Sequence, residues 1–298
     1  MGVSEDEVVA FWDALDRQLD ALPADLTLDR DDFYSKPEWQ VFRAHYTGLE
    51  GYRLFAWLSI PRRSGPFPAL VRMPDYGSVH DIIYTPLRRD AIVMNPTHRG
   101  QRHSDSSFQA HYPGLLTEGI DRPESYVMRR VFADALRAVD VLLEQIEAEV
   151  TTLCLTGAGL GGSLAIATAA RRPTVKAVAA DTPIALGHPL ALEAGTAYPL
   201  AELTDYLRVY PHRRGTVLAS SAPLDPVKLA PQVASPVLLS LGQRDRGQCP
   251  LAIGEAIVAG LPHCDHRIYD GAGEGGGHEH AVVRGRWLRK QLNIGGLE

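Results

Sequence analysis

Residues 151–170 read TTLCLTGAGLGGSLAIATAA. A β-branched and apolar run feeds a glycine-rich turn, and a run of small residues leaves it. That layout displays a nucleophile at a sharp strand-to-helix turn when the centre of G-x-S-x-G carries a hydroxyl. Here the five residues are Gly157, Ala158, Gly159, Leu160 and Gly161, so the nucleophile position holds Gly159. Two further residues complete an acid–base pattern. Asp245 lies in LGQRDRGQCP and His278 in GAGEGGGHEH. The chain order nucleophile, acid, histidine is that of acyl-transfer triads on strand–turn–helix scaffolds. Arg99-Gly100-Gln101, after AIVMN, is the remaining constellation.

The elements that must position these residues alternate between strand and helix patterns, which favours an α/β fold with a mostly parallel sheet flanked by helices. An amphipathic helix is expected over 5–21. Strands are expected at 51–61 (GYRLFAWLSIP), 69–74 and 91–95. The helix over 126–148 is the clearest, with Val131, Ala135, Val139 and Leu142 at three- and four-residue steps. Strands at 153–156, 175–181, 237–242 and 267–269 follow, and a helix over 281–291 closes the chain. The pattern puts Gly159, Asp245 and His278 on loops at the carboxyl ends of strands, where open α/β sheets place their sites. Residues 187–224 read as irregular, rich in Pro, Tyr and Arg, and fit a small inserted cap. With no repeat or linker, 1–298 reads as one domain, with an N-terminal helical and strand extension over about 1–65.

Composition bounds the partners. The 298 residues carry a formal net charge of −6 without clustering, so no nucleic-acid footprint is expected. No apolar run approaches the roughly 18 residues of a membrane span. The start, MGVSEDEVVAFWDAL, is acidic where a secretory signal would be basic and then apolar. Cys154, Cys249 and Cys264 form no C-x-x-C pair, and an odd count argues against a disulfide framework. A reduced, cytoplasmic protein is the expectation.

Taken together, these segments resemble the acetyl xylan esterase and cephalosporin C deacetylase group of carbohydrate esterases. The resemblance runs nearly the whole length: Phe11-Trp12, Arg99–Gln101, Gly119-Ile120, Tyr126, Arg129–Val131, Asp134, Arg137–Val139, the glycine turn, Asp245 with Cys249-Pro250, and Gly277-His278-Glu279. It implies an α/β-hydrolase fold that deacetylates small acylated sugars or metabolites with serine, aspartate and histidine. It implies no cofactor and no metal, and a homo-oligomer, commonly a hexamer. It also implies backbone oxyanion donors at Tyr76 and Leu160, and site support from Arg99 and Gln101. The departures cluster around the site. Gly159 replaces the serine and Leu160 the following glutamine. Pro74-Asp75 stands where the family has His-Gly, and Asn95–His98 precedes the R-G-Q motif where the family is usually acidic.

Glycine adopts the strained angles of such a turn freely, so the turn and its backbone donors should persist. What is lost is the attacking oxygen. Removing it from a serine hydrolase costs on the order of 10⁶ in kcat, while binding and the hole retain about 10³–10⁴ over water. Candidate replacements are weak. Ser163 lies one helical turn on and should pack against the sheet, and Cys154 reads as a core cysteine. Ser104, Ser106 and Ser107 follow the R-G-Q motif without a paired base. Each site residue also has a plain structural alternative. Asp245 could cap a turn, His278 could be a surface residue of a glycine-rich loop, and Arg99 could brace a loop. His278-Glu279-His280 lacks a distant third ligand for a metal. Three functions remain: a deacetylase with a crippled or water-mediated site, a lyase, isomerase or cyclase using His278 as base, or a pseudoenzyme that binds an acylated small molecule or a protein partner without turnover.

Overall fold

The computed structural model describes residues 3–77, 79–82, 85–106, 108–144, 146–270 and 275–295. Its strands, in chain order, are β1 (Thr27–Asp31), β2 (Trp39–Thr47), β3 (Arg53–Pro61), β4 (Phe67–Arg72), β5 (Ile92–Pro96), β6 (Val150–Ala158), β7 (Val175–Asp181), β8 (Val237–Gly242) and β9 (Cys264–Tyr269). They form a single sheet in the order β1-β2-β3-β5-β4-β6-β7-β8-β9. The first three strands and β5 pair antiparallel; from β5 onward through β9 every pairing is parallel. The helices are α1 (Glu5–Asp20), α2 (Val127–Glu144), α3 (Leu160–Arg171), α4 (Ala191–Ala194), α5 (Ala201–Val209), α6 (Arg214–Ser221), α7 (Pro226–Leu229), α8 (Leu251–Gly260) and α9 (Gly277–Gln291).

Side chains alternate across the sheet as the two-residue period of a strand requires. Ala69 and Val71 of β4, Leu153 and Leu155 of β6, Val178 and Ala180 of β7, and Leu239 of β8 pack into the larger core with α1, α2, α3 and α8. Leu70, Val93, Cys154, Ala177, Ala179 and Leu238 point the other way, onto Leu288, Trp287 and Val283 of α9. Helices thus cover both faces, as a parallel sheet demands. Helix α1 starts on a capping box, in which Ser4 Oγ accepts from Glu7 N–H at 3.3 Å and Ser4 N–H donates to Glu7 Oε2 at 2.7 Å. It buries Val8, Trp12, Leu15 and Leu19, and Trp12 Nε1–H donates to the Pro223 carbonyl at 2.9 Å.

Three expectations change. Strands β1 and β2 extend the sheet where no strand was expected. Residues 187–224 are largely helical, holding α4, α5 and α6 rather than irregular chain. The last helix begins at Gly277, not at 281, so His278 belongs to its first turn and not to a strand-end loop. No helix among the described residues is long and apolar enough to cross a membrane.

Candidate active site

Strand β6 turns into α3 at Gly159, whose φ of 54° and ψ of −119° lie where glycine is favoured. The turn is held at both sides of that residue. Gly159 N–H donates to the Asp181 carbonyl at 2.9 Å, and the Gly159 carbonyl accepts from Ile184 N–H at 3.0 Å. A Cβ at Gly157 would run into the Gly161 backbone, so this crossing needs a bare Cα. The space over Gly159 is filled. A Cβ built there meets Asp75 Oδ1 and Gln248 Oε1.

The two backbone donors assigned to an oxyanion hole converge on one atom. Tyr76 N–H donates to Asp75 Oδ1 at 2.7 Å, and Leu160 N–H donates to the same oxygen at 2.9 Å. One carboxylate oxygen therefore accepts from both N–H groups. Gln101, almost wholly buried, staples this loop. Its Nε2 donates to the Asp75 carbonyl at 2.8 Å and the Gly77 carbonyl at 2.6 Å, while its Oε1 accepts from His98 N–H at 3.2 Å. Arg99 acts one layer further back. Its guanidinium forks onto Asp134, with Nε to Oδ2 at 2.9 Å and NH2 to Oδ1 at 2.8 Å, and its backbone N–H donates to Oδ2 at 3.0 Å. The Arg99 guanidinium also lies over the Tyr52 ring at 4.6 Å. It braces the loop and does not face the cavity.

Beside the loop lies a cavity of about 490 Å³, walled by Tyr76, Phe108, Leu115 and Tyr198 with Gln101 and His98 among its polar groups. Its Tyr76 wall is fixed by the cap: the Tyr76 hydroxyl donates to Glu202 of α5 and accepts from Leu115 N–H at 2.8 Å. Glu202 Oε2 in turn accepts from Leu116 N–H at 3.1 Å. Burial raises the Glu202 carboxyl above its usual value, against the opposing Tyr76 and Leu116 hydrogen bonds. Burial also lowers His98 from its ordinary value, against the opposing hydrogen bond to the Arg99 carbonyl. Its Nδ1 lies 2.7 Å from the Arg99 carbonyl and so carries the proton, while the buried Nε2 has no hydrogen-bond partner among the described residues.

Asp245 is held by its own loop. Both Asp245 oxygens accept from its own loop: Oδ1 from Gly247 and Gln248 N–H at 2.8 and 2.9 Å, and Oδ2 from Cys249 N–H at 3.0 Å. His278 is exposed on the first turn of α9, and no hydrogen bond or ion pair joins it to Asp245 among the described residues. Gly275, Gly276 and Gly277 all have positive φ and lead into α9. Residues 271–274, which precede that run, lie outside the described residues. Two of the other candidate hydroxyls are engaged, and Ser106 is exposed. Ser163 Oγ donates to the Ile184 carbonyl at 2.8 Å, and Ser104 Oγ accepts from Phe55 N–H at 2.9 Å. Ser107 lies outside the described residues. Burial pushes the Cys154 thiol up to about 12.

His280, weighed in the sequence only as part of a metal cluster, is buried. His280 places Nε2 3.1 Å from Asp181 Oδ1, an ion-pair distance though out of line for a hydrogen bond, and Nδ1 3.0 Å from the Tyr269 hydroxyl. Asp181 also meets Arg284. The signal available was helical spacing, since 280, 284 and 288 share one face of α9. Gln248, three residues after Asp245 in the same loop, carried no sequence signal. Among the described residues, no group of three or more His, Cys, Asp or Glu is placed to hold a metal ion.

Comparison with known proteins agrees with this architecture. The family model described as acetyl xylan esterase (AXE1) matches residues 2–290. Acetyl esterase Axe7A of Xylanibacter ruminicola is 23% identical over 186 residues, which cover 58% of this chain and 42% of that protein, so the chain matches about two fifths of that relative's length. The acetyl xylan esterase from Paenibacillus sp. R4 superposes with a TM-score of 0.87 at 22% identity, covering 97% of this chain and 96% of that one. Acetyl xylan esterase 1 from Thermoanaerobacterium sp. JW/SL YS485 gives 0.86 at 19% identity, covering 96% and 94%. At these identities the structural likenesses establish the fold. With the family model spanning nearly the whole chain, the protein is an α/β-hydrolase that belongs to the acetyl xylan esterase family.

Proposed function

We propose that this protein is an acetyl xylan esterase relative that binds a small acylated ligand and hydrolyses ordinary acetyl esters weakly or not at all. The observation that carries this reading is the position of Asp75 Oδ1, which accepts from both Tyr76 and Leu160 N–H. An oxyanion hole accelerates acyl transfer by meeting charge as it develops in the transition state. A hole already holding an anionic oxygen repels the incoming one and offers it no free donor. Gly159 supplies no hydroxyl to attack with, and Asp245 is committed to backbone N–H groups rather than to a histidine. Binding needs less. The cavity beside Tyr76 offers aromatic walls and a few polar groups, the ordinary composition of a small-ligand pocket.

The test is direct. A fluorophosphonate probe should leave the protein unlabelled, and p-nitrophenyl acetate hydrolysis should stay near the buffer rate with no burst. Stoichiometric labelling, or a burst of p-nitrophenol equal to the protein concentration, would overturn the proposal.

A further inference from the structure

On the α9 face of the sheet, the strands change character one step before their carboxyl ends. Leu70, Val93 and Cys154 form an apolar layer against α9. Two residues further along each strand, on the same face, stand Arg72, Asn95 and Thr156. Across from them, one helical turn before Leu288, stands Arg284. These four polar residues line a crevice of about 160 Å³, with Thr85 beside them and the exposed Ala158 at its rim.

Two guanidinium groups on one small crevice need a counter-charge, because a partly buried cation is costly unless paired. Among the described residues, the nearby carboxylates Asp181 and Asp75 are engaged. Asp181 serves Arg284 and His280. Asp75 Oδ1 accepts from two backbone N–H groups. Arg284 uses one donor of its fork on Asp181, and no hydrogen bond or salt bridge of the Arg72 guanidinium is recorded among the described residues. Burial and the neighbouring Arg284 charge lower Arg72 from its ordinary value, against the opposing charge of Asp75. The Asn95 side chain, on a residue only 2% exposed, borders the same space.

We propose that this crevice is a binding site for a phosphate-sized oxyanion, held by Arg72 and Arg284 with Asn95 and Thr156 completing its hydrogen bonds. Guanidinium groups present planar forks of N–H donors that match phosphate oxygens. The amide and the hydroxyl add neutral donors on a third side. At roughly 30 Å³ of liquid volume per water, the space is about that of five waters, enough for an oxyanion and its immediate hydration but not for an oligosaccharide. The crevice shares no lining residue with the cavity beside Tyr76.

Calorimetric titration of the full chain with inorganic phosphate, at fixed ionic strength and with chloride as control, tests it. Saturable binding of one phosphate per chain is expected. Arg72→Gln should weaken it at least tenfold, and Asn95→Leu, which keeps both charges, should weaken it several-fold. A parallel titration with glucose 6-phosphate separates the sources: equal affinity means that the phosphoryl group is taken on a metabolite, and binding of inorganic phosphate alone means the free ion. Heats no larger than the chloride control with both ligands overturn the proposal. So does undiminished binding by a folded Arg72→Gln variant; should that variant not fold, undiminished binding by Asn95→Leu has the same force.

Discussion

Asp75 Oδ1 sits 2.9 Å from the backbone nitrogen of Leu160, the residue that opens α3, and accepts its hydrogen bond. The same oxygen accepts from Tyr76 N–H at 2.7 Å. A single side chain thus occupies both donors and also covers Gly159, where its carboxylate meets any Cβ that is added. The side chain that accepts from both N–H groups is therefore also the one that fills the space over Gly159.

Gly159→Ser by itself should restore little esterase activity. The new side chain must displace Asp75 and Gln248, and residue 159 must keep a positive φ, a strain of about 1–3 kcal/mol for serine. Gly159→Ser combined with Asp75→Gly frees both hole donors. Removal of one such donor typically costs 10²–10³ in kcat, so the double variant should exceed the single one by on the order of 10² in p-nitrophenyl acetate turnover. Equal rates for the two variants would remove Asp75 from the account.

Arg99 and Asp134 form a buried fork beneath the R-G-Q loop, with side chains 4% and 1% exposed. Asp134→Ala strands the guanidinium in the core, and an uncompensated buried charge costs about 3–5 kcal/mol. Urea unfolding should show that loss in the midpoint. A loss below about 1 kcal/mol would mean that the pair does not hold the loop.

Asp245 acts on its own loop through three backbone N–H groups. Asp245→Ala leaves those donors without an acceptor, at roughly 1–3 kcal/mol for each that stays buried and unpaired. Asp245→Asn keeps an oxygen for Gly247 and Gln248 and should cost clearly less. Thermal unfolding of the two variants ranks them; identical losses would argue that Asp245 has a partner beyond this loop.

The apolar strands and the glycine turn were legible because burial leaves a period in the sequence. Leu153 and Leu155 face one way and Cys154 the other, and the residues themselves carry that pattern. Strand β1, TLDRD, could not be read this way. It is an edge strand with exposed side chains, held by its ladder to β2 rather than by burial. The helix start at Gly277 was masked by glycines that have low helix propensity yet supply the positive-φ turn leading into α9. In 187–224 the prolines that suggested irregular chain fall at or between short helices; Pro211 and Pro223 each sit in a first turn, where a missing N–H costs nothing. At the site, the types of Asp75, Arg99, Gln101 and Asp245 were on view, but their partners were not. Whether a carboxylate turns back onto the N–H of the next residue, or onto that of a residue 85 positions away, is decided by the sheet that brings β4 beside β6.

Asp225 offers a pH test of the cap junction. It is 2% exposed and caps α7, accepting from Val227 N–H at 2.9 Å. Burial raises its carboxyl to about 7 from 3.8, against the opposing Val227 hydrogen bond and Lys228 charge. The native chain therefore holds this proton at pH values where the unfolded chain has released it. Stability from this group is fully present below about pH 4 and declines as pH rises towards 7, with no further loss above it. Asp225→Asn keeps an acceptor for Val227 and removes the titration. It should match the parent near pH 4 and exceed it above pH 7, by on the order of a few kcal/mol at most. Urea unfolding of both proteins at pH 5 and pH 8 measures the difference. Other titrating groups are common to the two proteins and cancel, so a stability difference that is the same at both pH values would show that Asp225 is ionised throughout and that its burial is compensated elsewhere.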